Sequence, residues 1–165
     1  MDKQSNASKR FFGRKGLTSE QALQKLKYYC AYQERCHSEV KEKLYSLAVS
    51  KKDRDGIIAA LIEENYLNEE RFAIAFAGGK FRMKQWGRVK IKHELRQIQV
   101  SDYSIKKALK QINEADYLKT LNKLAKGKYT ALKNELPGIR KKKTMAYLMG
   151  KGFEGELVSG VVEKQ

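Results

Sequence analysis

Residues 66–109 read YLNEERFAIAFAGGKFRMKQWGRVKIKHELRQIQVSDYSIKKAL, and this stretch decides the fold of the chain. It contains three short amphipathic segments, each opened by a signal for a helix start. Asn68 can cap the first helix, whose opening glutamates suit the positive end of a helix dipole. Ser101 or Asp102 can cap the third. Helices shorter than ~12–15 residues are marginal in water on their own, so the three segments must pack against one another.

The apolar positions of this three-helix unit recur elsewhere in the chain. Leu95 has counterparts in Leu44 and Leu148, which lie 51 residues upstream and 53 residues downstream. A second apolar anchor follows these leucines, in chain order, by 13, 10 and 9 residues: Ile57, Ile105 and Leu157. A nearly constant period of this kind indicates stacked helical units. The longer first separation predicts a loop insertion at Val49 to Lys52.

We predict an all-α fold made of about three tandem three-helix repeats, stacked into an elongated, curved array. The single proline and the lack of alternating β-branched residues argue against β-sheets. The expected organisation is a flexible basic N-terminal arm at residues 1–17, followed by helical repeats at 18–67, 68–114 and 115–165. The alternative is an irregular helical domain in which apolar residues recur by chance.

The charge is unevenly distributed between the repeats. The whole chain has a formal net charge of +16. From Glu20 to Phe72 there are nine Lys or Arg and ten Asp or Glu, a net charge of −1. From Lys80 to Lys110 there are ten against two, and from Lys119 to Lys143 nine against one, a net charge of +8 in each case. Such a concentration indicates a surface that faces phosphates or an acidic groove.

The sequence contains no arrangement of residues that is typical of an active site. Its two histidines, His37 and His93, lie apart in lysine-rich segments, where surface imidazoles account for both. Cys30 and Cys36 are six residues apart, whereas zinc ligands usually pair at two to four residues within a set of four. Helix capping and surface charge explain the two glutamate pairs within residues 63–70. We therefore expect no catalytic residue, no metal, no cofactor and no enzyme activity.

Basic side chains are the candidate binding residues. Arg88, Lys92 and Arg96 recur every four residues, so they form one ridge of a helix beside the apolar positions Ile91 and Leu95. The third repeat has a basic cluster at the equivalent helix start. A solvated face is the alternative, but solvated faces usually mix both signs of charge. The candidate residues for binding a polyanionic partner are Lys80, Arg82, Lys84, Arg88, Lys90, Lys92, Arg96, Arg140, Lys141, Lys142 and Lys143.

Residues 66–109 resemble the RecX family of recombination regulators. The matching positions are Tyr66-Leu67-Asn68-Glu69-Glu70-Arg71-Phe72-Ala73, Lys80, Trp86-Gly87, Lys90-Ile91, Glu94-Leu95, Ile105 and Ala108-Leu109. Family members commonly have an aspartate where Asn68 stands, and a Lys-Gly-Ile turn where this chain has Gln97-Ile98-Gln99-Val100. The third repeat has the family-like turn at Lys151-Gly152-Phe153. The resemblance is strong from Tyr66 to Leu109 and looser from Ala22 to Val162.

The resemblance implies a function as well as a fold. RecX proteins are curved, all-helical arrays that bind in the groove of the RecA filament on single-stranded DNA. They restrain the ATPase, strand-exchange and coprotease activities of RecA. The implied partners are therefore the RecA filament and single-stranded DNA, with double-stranded DNA left open as a further partner. The implied role lies in recombination, DNA repair and the SOS response.

A basic helical nucleic-acid-binding protein without a filament partner is the alternative function. No apolar stretch approaches the ~20 residues of a membrane span. The first sixteen residues also lack the apolar core of a signal peptide. We therefore expect a soluble, cytoplasmic protein, and we expect it to be a monomer.

Overall fold

The computed structural model of the chain describes residues 16–165, and every regular element in that range is an α-helix. The helices are α1 Ser19–Tyr32, α2 His37–Ser46, α3 Lys51–Glu63, α4 Glu69–Lys84, α5 Arg88–Gln97, α6 Asp102–Lys110, α7 Glu114–Ala131, α8 Pro137–Gly150 and α9 Gly155–Val162. They pack mainly within three consecutive trios, so the predicted all-α fold of tandem three-helix units is confirmed. The predicted basic arm lies outside the described residues, except for Gly16 and Leu17.

Side-chain caps begin several of these helices. Thr18 and Gln21 form a capping box before α1, with both hydrogen bonds at 3.2 Å. The Asn68 side chain accepts a hydrogen bond from the Arg71 N–H at 2.9 Å and begins α4. Ser101, and not Asp102, caps α6. These caps satisfy amide donors that the helix itself leaves unpaired.

The turn between the second and third helix of each trio has the same hydrogen-bond pattern. The residue five positions after Leu44, Leu95 and Leu148 donates its N–H to the carbonyl of that leucine, at 3.2, 3.0 and 3.2 Å. The residue before each donor has a positive φ: Ala48 at 53°, Gln99 at 63° and Gly152 at 90°. The three leucines are therefore equivalent positions in a repeated turn.

The predicted loop insertion at Val49 to Lys52 is wrong. The segments between the second and third helices are residues 47–50, 98–101 and 151–154, which are equal in length. The longer separation between the first pair of apolar anchors arises because Ile57 is the seventh residue of α3, whereas Ile105 is the fourth residue of α6 and Leu157 the third residue of α9. Ile57 consequently lies one turn deeper in its helix than its counterparts do.

The buried side chains of the described residues form two clusters. The smaller cluster lies within the first trio and includes Leu26, Leu44 and Leu61. The larger cluster runs through α4 to α9 and includes both Leu95 and Leu148. The second and third trios therefore share one core, while the first trio has a core of its own.

The first trio contacts the second trio through Cys36 and Glu34, among other residues. Cys36, in the turn before α2, is buried and packs in the larger cluster. Glu34 accepts two hydrogen bonds from the guanidinium group of Arg71, at 2.8 and 3.3 Å. The joint between the two cores is therefore partly polar.

The third trio contacts the second through two glycines. The Gly87 N–H donates to the Lys151 carbonyl at 2.8 Å, and the Val89 N–H donates to the Gly152 carbonyl at 3.0 Å. A Cβ atom on Gly87 would lie 2.1 Å from the Gly152 carbonyl oxygen. A Cβ atom on Gly152 would lie 2.2 Å from the Lys90 Cβ. This close backbone approach requires glycine at both positions.

None of the helices within residues 16–165 is both long enough and apolar enough to cross a membrane.

Candidate functional site

The eleven predicted binding residues divide into three groups in the structure. The first group lies around the end of α4 and the start of α5 and consists of Lys80, Arg82, Lys84 and Lys90. Arg88, Lys92 and Arg96 line a cleft beside α5 and α6, as the predicted ridge requires. The four basic residues from Arg140 to Lys143 lie in the first half of α8.

In the first group, two lysine side chains lie against the ring of Trp86. The Lys80 and Lys90 ammonium groups lie 5.0 and 4.6 Å from the centre of the indole ring. Lys80 also lies 5.1 Å from the ring of Phe76. Cation–π attraction holds each of these ammonium groups against the indole ring. Trp86 is half-buried and packs against the larger core, which positions both lysines.

A second aromatic residue with paired lysines lies on the third trio. The ammonium groups of Lys128 and Lys151 lie 5.2 and 5.9 Å from the centre of the Tyr147 ring. The Lys151 ammonium group also donates to the carbonyl of Lys84 at 3.1 Å. This bond brings the Tyr147 group to the end of α4, beside Trp86.

We name these two connected groups the aromatic–lysine surface, and its members are Lys80, Lys84, Trp86, Lys90, Lys128, Tyr147 and Lys151. Sequence reasoning missed Lys128, Tyr147 and Lys151, since no local spacing connects them to Trp86. The sequence identifies Lys151-Gly152-Phe153 only as a turn. Its contact with α4 arises from the close approach of the glycines at positions 87 and 152.

Arg88 has a role within the fold. Its guanidinium group pairs with Glu114, lies 3.5 Å from a Glu154 oxygen and stacks 4.0 Å from the centre of the Tyr117 ring. Burial disfavours its charge, but the hydrogen bond and charge of Glu114 outweigh that effect and raise the pKa of Arg88. Arg88 therefore connects α5 to the start of α7 and to the residue before α9.

The hydroxyl group of Tyr117 completes the same network. It accepts a hydrogen bond from the Arg88 N–H at 2.9 Å and donates one to Glu154 at 2.6 Å. Burial, followed by the hydrogen bond to the Glu154 carboxylate, raises the pKa of Tyr117 well above its usual value. The tyrosine therefore stays neutral and donates to the carboxylate throughout the physiological range.

The α5–α6 cleft encloses about 860 Å³. The Arg96 guanidinium group donates to both carboxylate oxygens of Asp102, at 2.9 and 3.1 Å, and this bond lowers the pKa of Asp102. Apolar side chains of α6 and of the following turn also face the cleft. The lining residues are Arg88, Lys92, Arg96, Asp102, Ile105, Lys106, Leu109, Lys110, Ile112, Asn113 and Glu114.

Most of the basic residues of α8 contact their own trio. The Arg140 guanidinium group donates to the Tyr129 carbonyl at 2.8 and 3.2 Å and stacks 3.7 Å from the centre of the Tyr129 ring. Lys141 donates to the Glu163 carbonyl at 3.3 Å, and Lys143 pairs with Glu135. Lys142 is exposed.

Family models match both basic trios. The model for the second three-helix domain of RecX matches residues 68–109, and the model for the third three-helix domain of RecX matches residues 114–162. Together the two matches extend over more than half of the chain.

Individual relatives have the same family name. The regulatory protein RecX of Leuconostoc mesenteroides is 29% identical over 126 residues, which are 76% of this chain and 47% of that protein. The regulatory protein RecX of Clostridium tetani is 32% identical over 128 residues, which are 76% of this chain and 58% of that protein. The chain thus spans roughly half the length of these curated relatives.

Two crystal structures have a similar fold. RecX from Lactobacillus salivarius superposes with a TM-score of 0.80 at 20% identity, over 88% of this chain and 95% of that one. A second regulatory protein RecX superposes with a TM-score of 0.79 at 21% identity, over 89% of this chain and 73% of that one.

Proposed function

Because this chain belongs to the RecX family, we propose that it binds the RecA filament on single-stranded DNA and inhibits the ATPase, strand-exchange and coprotease activities of RecA. It would thereby modulate recombination, DNA repair and the SOS response. The relatives named above are called regulatory proteins, which supports a role as a regulator. On this proposal the chain acts by binding, as a cytoplasmic monomer without enzyme activity, and double-stranded DNA is a further candidate partner.

The aromatic–lysine surface is the observation that carries the proposal. Single-stranded nucleic acids are bound by positively charged surfaces that also present aromatic side chains. Here Trp86 and Tyr147 each carry two lysines, and the bond from Lys151 to Lys84 joins the two groups. This surface belongs to the two trios that hold the excess positive charge. We therefore place the contact with phosphates here.

Arg88 is unsuitable for testing a phosphate contact, although it belongs to the predicted ridge. Its guanidinium group already pairs with Glu114 and Glu154. Replacing it would leave those carboxylates without their partner, so a loss of binding would be confounded with a loss of stability. Residues of the aromatic–lysine surface provide a cleaner experiment.

The test measures RecA ATPase activity on single-stranded DNA while this protein is added. The variant Lys80→Gln, Lys90→Gln, Lys128→Gln removes three charges from the aromatic–lysine surface. The matched control, Lys25→Gln, Lys41→Gln, Lys51→Gln, removes three charges from exposed positions of the first trio. We expect only the first variant to need a higher concentration for half-maximal inhibition. For this variant, the plot of log affinity against log salt concentration should be shallower, with a slope smaller in magnitude by about 2. Each single-strand phosphate contact contributes about 0.7 to that slope.

Two results would contradict the proposal. Full ATPase activity in the presence of the unmodified protein would exclude inhibition of RecA. If both triple variants inhibited the RecA ATPase equally poorly, net charge would be responsible and the aromatic–lysine surface would not. Binding to single-stranded DNA with no effect on the filament would favour the alternative, a nucleic-acid-binding protein without a filament partner.

A further inference from the structure

The α5–α6 cleft differs in chemistry from the aromatic–lysine surface. Its floor is aliphatic: Ile105 and Ile112 are nearly buried, and Leu109 is half-buried. None of the eleven side chains that line it is aromatic. Its volume of about 860 Å³ falls within the ~300–1,000 Å³ of typical ligand pockets.

Unpaired lysines surround this floor. Lys92, Lys106 and Lys110 are exposed and form no ion pair with any other residue in the described range. The two arginines of the cleft, in contrast, are paired with Glu114 and Asp102. The five cations and two carboxylates that line the cleft give it a net charge of +3. All of this uncompensated charge can be assigned to the three lysines.

The two arginines of the cleft form ion pairs between the elements that line it. Arg96 is fixed at both carboxylate oxygens of Asp102 in the first turn of α6, and Arg88 is fixed at the start of α7. Each of these ion pairs spans two elements of the cleft wall. The arginines are thus engaged within the wall, whereas the lysines are available to the charges of a partner.

An aliphatic floor with cationic edges fits an acidic peptide better than a nucleic acid. Nucleobases bind by stacking on aromatic side chains, which this cleft does not present. Leucine-like side chains of a peptide can instead fill an aliphatic floor, while its carboxylates meet lysines along the edge. The aromatic residues that suit nucleobases, Trp86 and Tyr147, belong to the aromatic–lysine surface.

We propose that the α5–α6 cleft binds an acidic peptide segment, with interspersed aliphatic side chains, that belongs to the protein partner. This inference rests on the proposed function only for the identity of that partner. It assigns the protein contact to the cleft and leaves the phosphates to the aromatic–lysine surface. The two surfaces are then separable by mutation.

The test uses a fluorescein-labelled peptide of about twelve residues, made of glutamate with leucine at every fourth position, and anisotropy of the full chain without RecA. The variant Lys92→Gln, Lys106→Gln, Lys110→Gln should weaken binding by about tenfold or more. The matched control, Lys119→Gln, Lys123→Gln, Lys126→Gln, removes three exposed charges of α7 outside the cleft. It should change the affinity by less than about twofold.

Two further probes separate the possible ligands. A peptide with glutamine in place of each glutamate should bind weakly to the unmodified protein. Binding of a labelled oligothymidylate should be weakened to a similar extent in the two triple variants, because the cleft is not its binding site. In the unmodified protein, the methyl resonances of Leu109 and Ile112 should shift when the glutamate peptide is added.

Several outcomes would overturn the inference. These are equal loss of peptide binding in the two variants, equal binding of the glutamine peptide, or unshifted methyl resonances of the cleft floor. A selective loss of oligothymidylate binding in the cleft variant would make the cleft a nucleic-acid site. Since the assay contains no RecA, its failure is independent of the ATPase result, and peptide binding without ATPase inhibition would contradict only the proposed function.

Discussion

Tyr117 is a fully buried residue whose hydroxyl group both accepts and donates a hydrogen bond. Its ring lies between Phe81 and Phe153, with ring centres 5.7 and 5.1 Å away. The hydroxyl group therefore aligns the start of α5 with the residue before α9. Buried polar groups of this kind are costly when a partner is removed.

Tyr117→Phe should destabilise the protein by about 1–3 kcal/mol, because the Arg88 N–H and Glu154 lose a buried hydrogen-bond partner. Urea unfolding monitored by circular dichroism measures this change. Tyr32→Phe is the control, since Tyr32 is 86% exposed and should change the free energy of unfolding by less than about 0.5 kcal/mol. Equal effects of the two substitutions would refute the role given to the buried hydroxyl group.

Arg88 shows what a sequence can and cannot indicate about a single residue. Its spacing with Lys92 and Arg96 correctly placed the three on one side of α5. Its ion pairs were not predictable, because Glu114 and Glu154 lie in other helices or turns, far along the chain. Local periodicity specifies a helix face, whereas the partner on that face depends on tertiary packing. The assignment of all eleven basic residues as binding residues stays a prediction.

At the scale of the element, the close approach between α5 and the α8–α9 turn depends on two glycines, Gly87 and Gly152. Gly152 has a positive φ and leaves no room for a Cβ atom beside Lys90. Gly127, in α7, is a useful contrast, because a Cβ atom there would meet nothing within 4 Å. The same substitution at Gly152 and Gly127 should therefore have opposite effects.

Gly152→Ala should destabilise the protein by about 2–5 kcal/mol through backbone strain and overpacking. Gly127→Ala should stabilise it by about 0.5–1 kcal/mol, because alanine is the better helix former. Thermal unfolding of the two variants gives both values. A neutral result at Gly152 would mean that the turn and α5 do not touch in solution.

Glu69 connects the first turn of α4 to the start of α6. Burial opposes its charge, but hydrogen bonds from Ser101 and Ser104 outweigh burial and lower its pKa below the usual 4.5. The native state therefore binds fewer protons than the unfolded state in this range, and the stabilisation is present above pH 4.5 and lost as the pH falls through the lowered pKa.

The pH dependence of the stability of the variant Glu69→Gln checks this contribution. At neutral pH the unmodified protein should be more stable than the variant, and the difference should shrink as the pH falls below about 4.5. Chemical unfolding at a series of pH values measures it. A stability difference that is constant between pH 7 and acid pH would exclude a titrating role for this carboxylate.

Helix starts and apolar stripes were predictable because they depend on neighbouring residues. Thr18, Asn68 and Ser101 act as caps through bonds to residues only three positions away. The loop insertion at Val49 to Lys52 was predicted wrongly, since the spacing of two anchors cannot distinguish a longer loop from an anchor that lies deeper in its helix. Ile57 is the seventh residue of α3, whereas Ile105 is the fourth residue of α6.

At the scale of the whole molecule, residues 16–165 form two cores of unequal size. The period of the leucines correctly predicts three helical trios. It does not indicate that the second and third trios share a core, because that depends on how Tyr117 and Phe153 pack. Charge follows the same division, with the neutral trio separate from the two basic ones.

Leu95→Ala should lower the free energy of unfolding of the larger core by about 2–5 kcal/mol, because Leu95 is fully buried. Hydrogen exchange should accelerate in α4 to α9 and change little in α1 and α3, since the first trio has its own core. Leu44→Ala should give the reverse pattern. Uniform acceleration along the whole chain would show a single cooperative core.

Trp86 is the only tryptophan of the chain, and it lies against two ammonium groups. Indole emission depends on nearby charges and on water. A polyanion that draws those lysines outward should therefore alter the intrinsic fluorescence, whereas a ligand confined to the other surface should leave it unchanged. The molecule thus carries its own optical reporter for one of its two contacts, and no dye has to be attached to read it.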